Sequence, residues 1–173
     1  RAVELERLGA EPGEASGAMK PAARSKSGLD FVDLAGATAP PPRFLSGVAE
    51  FDRVCGGGIA AASAILIGGD PGVGKSTLLL QAAAGLARAG LVTAYVTGEE
   101  AEAQIQDRAR RLGALDAPVR LAAETNLRKI LDGLKHLKPD VVIVDSIQTL
   151  WADHVEAAPG TVTQVRACAH ELV

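Results

Sequence analysis

Gly69-Asp70-Pro71-Gly72-Val73-Gly74-Lys75-Ser76 fits the pattern G-x-x-x-x-G-K-[S/T] at every fixed position. These residue types at this spacing are suited to holding a chain of phosphates. Glycines let the loop adopt backbone angles that other residues avoid, and let its amides approach an anion closely. Those amides form a concave nest for the β-phosphate. A helix that starts at the end of the loop adds free N–H groups and a partial positive charge. Lys75 is placed to reach the β- and γ-phosphates, the Ser76 hydroxyl to ligate Mg²⁺, and Thr77 to donate to the α-phosphate. The plainer reading is a glycine-rich turn between a strand and a helix. The complete motif in a strand–loop–helix setting argues against it.

Two further sets of carboxylates fit the same chemistry. Asp145 closes the apolar run Val141–Val144, the setting of a Walker B aspartate that holds Mg²⁺, usually through water, opposite Ser76. Taken alone, Asp145 fits equally well as a strand-end turn cap. Glu99 and Glu100 follow the run Val92–Thr97. One of them can orient or deprotonate an attacking water, and the other can open the next helix, where the dipole favours negative charge. Glu99 is favoured for the water because it is closer to the strand end.

The elements that must position these groups are legible in the apolar pattern. Ala64-Ile65-Leu66-Ile67 reads as a buried strand ending at Gly68, and Ser76 to about Ala89 as a helix. Val92–Thr97 and Val119–Leu121 read as strands, and Ala101–Leu112 as a helix stopped by Gly113. Asn126–Leu137 is amphipathic, with Leu127, Ile130, Leu131, Leu134 and Leu137 on one face. Val141–Val144 has the β-branched continuity of a strand buried on both faces. Thr161 is placed to cap a last helix from Val162. Before the phosphate loop, Val48, Phe51 and Val54 share one face of a short helix that Gly56-Gly57-Gly58 ends. The alternation predicts an α/β fold with right-handed βαβ units and a parallel sheet carrying helices on both faces. Ligands in such folds lie at the carboxyl ends of the strands. The phosphate loop, Glu99, Glu100 and Asp145 all follow strand ends.

Composition bounds the rest. The 173 residues suffice for one domain; 47% are hydrophobic but only 3% aromatic, so the core is aliphatic. A net charge of −3 gives no whole-chain signal for nucleic acid. Cys55 and Cys168 form no C-x-x-C, which fits a reducing, cytoplasmic setting and excludes a four-cysteine zinc site within the chain. His136, His154 and His170 lack metal-ligand spacing. Arg108, Arg110, Arg111, Arg128, Lys129, Lys135 and Lys138 read mostly as solvated helix-face charges. No apolar run approaches the roughly 18 residues of a membrane span, and no signal peptide is visible. Residues 1–28 have the Gly, Ala, Ser and Pro content of a mobile linker, after which Phe31–Leu34 is the first apolar cluster. The chain begins with Arg1 and ends in a helical pattern, so we expect it to be part of something longer.

Several stretches together resemble one family. They are Arg43–Gly58, Ile67–Gln81, Tyr95-Val-Thr-Gly-Glu-Glu100, Ala122–Asn126, Val144-Asp-Ser-Ile-Gln-Thr149 and Ala158–Arg166. The chain is similar over residues 29–173 to the bacterial RadA (Sms) family of DNA repair proteins, within the RecA-like P-loop ATPases. The phosphate loop is generic to many NTPases; its combination with the other stretches is much more specific. The resemblance implies the N-terminal part of a RecA-like ATPase domain, truncated on its C-terminal side, with ATP and Mg²⁺ as cofactors. It implies a DNA-dependent ATPase that processes recombination intermediates, assisting branch migration with RecA, on single-stranded or branched DNA. It further implies a homo-hexameric ring with ATP between subunits. It places Glu99 as the catalytic glutamate and Arg108 near the adenine. Family members also carry a zinc module, a KNRFG motif and a Lon-protease-like domain. The alternatives are a nucleotide-binding piece without turnover, or another RecA-like branch such as a replicative helicase. An incomplete sheet with an open edge would be marginally stable.

Overall fold

A computed structural model describes residues 39–173 and, before them, Ala35. The linker expected over 1–28 and the apolar cluster Phe31–Leu34 lie outside the described residues. In chain order the elements are β1 (Arg43–Phe44), α1 (Ala49–Val54), β2 (Ile59–Ala60), α2 (Lys75–Arg88), β3 (Thr93–Thr97), α3 (Glu102–Arg111), β4 (Arg120–Ala123), α4 (Leu127–Leu137), β5 (Val141–Asp145) and α5 (Val162–Leu172). A single 3₁₀ turn, Ile147–Thr149, follows β5.

The sheet that matters for function has the order β4-β3-β5, and both pairings are parallel. Tyr95 lies opposite Leu121 and Ile143, and Thr97 opposite Ala123 and Asp145. Alternate residues of a strand face opposite sides, and each side of this sheet is covered. Tyr95 and Ile143 pack with Leu80, Ala83 and Ala84 of α2 and Ile105 and Ala109 of α3. Val96 packs on the other side with Leu127 and Ile130 of α4 and Cys168 of α5, and Val144 joins them. The expected α/β architecture, a parallel sheet with helices on both faces, is therefore present. β1 and β2 form a separate antiparallel pair.

Caps end the helices as the sequence requires. The Asn126 side chain accepts from Lys129 N at α4, and Thr161 from Gln164 N at α5. Gly85 lets α2 approach the chain before α1. A Cβ there would lie 1.7 Å from the Ser46 carbonyl oxygen.

Two expectations are corrected. Ala64–Ile67 is not a strand; Ile65 is 45% and Leu66 88% exposed. An apolar run becomes a parallel strand only when neighbours satisfy its backbone and cover its faces, and this one has no ladder partner among the described residues. Val141–Val144 does form a strand, but it is not buried on both faces. β5 is the sheet's edge, and Val142 is exposed. The short helix expected before the phosphate loop is present as α1; Val48 and Phe51 on its apolar face are half-buried and Val54 is exposed, while the buried residue is Asp52. The Asp52 carboxylate accepts Ser46 N at 2.9 Å, Ser46 Oγ at 2.7 Å and Gly47 N at 3.2 Å. Three hydrogen bonds to one charge fix the start of α1 to the chain before it.

Candidate functional site

Gly72 and Gly74 take φ values of +81° and +101°, which a side chain would strain. They let the loop turn directly into α2, with Gly74 as the residue that caps it. Lys75 Nζ donates to the carbonyls of Gly69 and Asp70, both at 2.8 Å, so the lysine lies along the loop. Ser76 and Thr77 are half-buried in the first turn, whereas Gly69, Asp70, Pro71, Gly72, Val73 and Gly74 are exposed. α2 is 14 residues long, or about 21 Å. Only residues 89–92 separate its end from β3. Its C-terminus thus lies at the N-terminal edge of the sheet, and the loop at its other end lies on the side of the strands' carboxyl ends.

That carboxyl edge carries the acidic residues. Asp145 ends β5 level with Thr97 and is 7% exposed. Its Oδ2 accepts from the Tyr95 hydroxyl at 2.6 Å. Burial first, and then the hydrogen bond and charge of Asp145, push the Tyr95 phenol well above its usual range, so it remains a donor. Asp145 Oδ1 has no hydrogen-bond partner among the described residues. The ladder continues past the strands: Gly98 N donates to Asp145 O, and Glu124 N to Thr97 O.

Glu99 and Glu100 diverge. Glu99 is exposed and receives Ser146 Oγ at 2.5 Å. Glu100 is half-buried, and both its oxygens take Arg108 Nη2, at 2.8 and 2.9 Å. Arg108 therefore braces the exit of β3 against α3. Its Nη1 is buried without a hydrogen-bond partner among the described residues. Glu100 is thus engaged by Arg108, whereas Glu99 is engaged by Ser146.

Four residues without an assigned role in the sequence shape this edge. Tyr95 orients Asp145, Ser146 holds Glu99, and Gly98 admits Thr149. Gln164 ties α5 to the loop after β5 by accepting Ala152 N at 3.0 Å and donating to Ala157 O at 2.9 Å. Tyr95 had a usable signal, being the chain's only tyrosine and two positions before a strand end. Gln164 is polar and 2% exposed, with nothing local to mark it.

Of the remaining residues, Cys168 is buried, which raises its thiol, and Cys55 is half-buried. Trp151 is half-buried, and its Nε1 donates to Thr125 Oγ1 at 3.2 Å. His136 meets the Asp132 carbonyl and His154 meets Glu171. Among the described residues no group of three or more His, Cys, Asp or Glu could hold a metal ion, and no helix is long and apolar enough to cross a membrane. A hydroxyl at Ser76 and one free carboxylate oxygen at Asp145 suit a hard cation that completes its shell with phosphate and water.

The model of the KaiC family of ATPases matches residues 44–118. The chain is 52% identical over 155 residues to the DNA repair protein RadA of Brucella abortus, a match covering 87% of this chain and 33% of that protein. It is 50% identical over 131 residues to the protein of the same name from Haemophilus influenzae, covering 76% and 28% of the two. The corresponding Bacillus subtilis protein is 43% identical over 136 residues, covering 79% and 30%. The chain thus spans about a third of the length of these curated relatives.

Proposed function

Because this chain belongs to the RadA-like branch of the RecA-like P-loop ATPases, we propose that it forms the nucleotide site of a DNA-dependent ATPase of DNA repair. The observation that carries this reading is the phosphate loop at the start of α2, on the side of the sheet where Asp145 and Glu99 end β5 and follow β3.

The roles follow from chemistry. Gly69, Asp70, Pro71, Gly72, Val73 and Gly74 supply loop amides to the phosphates of ATP. Lys75 exchanges its two loop carbonyls for phosphate oxygens and offsets their charge. Thr77 donates to the α-phosphate. Ser76 and Asp145 would hold Mg²⁺, which when bound neutralises charge between the β- and γ-phosphates. Glu99 orients water for in-line attack, and Ser146 fixes its carboxylate. Arg108 serves the adenine side, already held in place by Glu100.

The name shared by these relatives supports DNA repair as the setting. Single-stranded or branched DNA, branch migration with RecA, and a homo-hexamer complete the reading. A second reading, nucleotide binding without turnover, is favoured by Ala64–Ile67 standing outside the sheet ahead of the loop.

ATP binding by calorimetry with Mg²⁺, beside Lys75→Ala, tests the site. Binding by the unsubstituted chain that Lys75→Ala abolishes is expected. Equal binding by both removes the loop from the role. Magnesium-dependent hydrolysis by this chain, lost in Lys75→Ala, would overturn the second reading.

A further inference from the structure

Tyr95 is fully buried at the centre of β3. Its cross-strand neighbour on β5 is Ile143, and Asp145 lies one diagonal step further on the same face. Diagonal positions are about 7–8 Å apart, a gap that aromatic and long side chains bridge and short ones do not. The phenol spans it and donates to Asp145 Oδ2 at 2.6 Å. Leu80 and Ala84 of α2 and Ile105 and Ala109 of α3 share the core cluster around the ring. The ring is thus fixed by the helix that begins at the phosphate loop. Oδ1 is left as the carboxylate's only oxygen without a protein partner among the described residues.

We propose that Tyr95 is a positioning residue for a divalent-cation site: by occupying Asp145 Oδ2 it locks the carboxylate's orientation and leaves Oδ1 alone to face the cation's water shell. This rests on the reading of Asp145 as the cation-side carboxylate. Phenylalanine would fill the same space but leave Oδ2 without its donor. The carboxylate would then be free to turn, and the cation would lose a fixed acceptor. Partners of this kind, one step behind a ligand, typically change metal affinity by 10–100-fold.

The test uses the whole chain and a metal probe. Mn²⁺ is titrated against the ADP-loaded chain and followed by the paramagnetic resonance of free Mn²⁺, in the unsubstituted protein, Tyr95→Phe and Asp145→Asn. Tyr95→Phe is expected to raise the Mn²⁺ midpoint about tenfold while leaving metal-free ADP affinity within twofold. An unchanged midpoint in Tyr95→Phe, with a shifted one in Asp145→Asn, overturns the role of Tyr95 alone. An unchanged midpoint in Asp145→Asn overturns the reading of Asp145 itself. Should Tyr95→Phe not fold, 3-fluorotyrosine at the chain's only tyrosine gives one fluorine resonance. That resonance is expected to move on adding Mg²⁺ to the ADP complex; a resonance that stays fixed overturns the proposal.

Discussion

Ser146 Oγ donates to Glu99 Oε1 at 2.5 Å, joining the residue after β5 to the second residue after β3 across 47 positions of sequence. A single exposed glutamate has several rotamers of similar energy; this bond selects one. Under the proposed function, Glu99→Gln spares ATP binding and lowers single-turnover hydrolysis by about 10²–10⁴-fold, the range of a general base. Ser146→Ala leaves the carboxylate present but unheld, so its loss is expected to be smaller, about tenfold. Both are measured in a protein of the relatives' full length. Unchanged turnover in Glu99→Gln removes that residue from the role.

Gly98 links the end of β3 to Glu99, and its lack of a side chain is a packing requirement. A Cβ there would meet Thr149 Oγ1 at 2.0 Å, Thr149 Cβ at 2.8 Å and Thr125 Cγ2 at 3.1 Å. The Thr149 hydroxyl can rotate away but its Cβ cannot. Gly98→Ala should cost about 1–3 kcal/mol of stability in urea denaturation. Adding Thr149→Gly should recover part of it. If the double variant is no more stable than Gly98→Ala, the clash lies elsewhere.

Gln164 is 2% exposed and serves residues 152–157 through both ends of its amide. Gln164→Leu has similar size but leaves Ala152 N and the carbonyls of Ala152, Val155 and Ala157 without this partner. We expect a loss of about 2 kcal/mol and faster proteolysis between Ala152 and Pro159. Equal thermal midpoints for the two proteins would argue against that role.

The backbone N–H groups of Asn126 and then Thr125 hold the Glu124 carboxyl below its usual value of 4.5. Its folded pKa is lower than its unfolded one. The stability it contributes is therefore present above pH 4.5 and is lost as pH falls through the folded value. Glu124→Gln should lower stability at neutral pH and flatten its decline below about pH 5. Denaturant midpoints across that range check the slope; parallel curves for the two proteins would contradict it.

The phosphate loop, the run of strands and helices, the capping residues Asn126 and Thr161, and Asp145 at a strand end were all readable in the sequence. Each depends on neighbours within a few positions: glycine spacing, apolar period and cap chemistry are local properties. The chain's pattern also sufficed for a parallel sheet covered on both sides. Local pattern misled at Ala64–Ile67 and Val142. Apolar composition states what would gain from burial, not whether another element is there to cover it. The tertiary structure alone decided the contacts across strands. Tyr95 reaches Asp145 over 50 positions because β3 and β5 pair in one register, and a slip of one residue would turn the two side chains to opposite faces. Gly98 against Thr149, Ser146 on Glu99 and Gln164 under its loop likewise follow from which elements become neighbours. That choice is made by the free energy of the whole packed core, a quantity no short window of sequence contains.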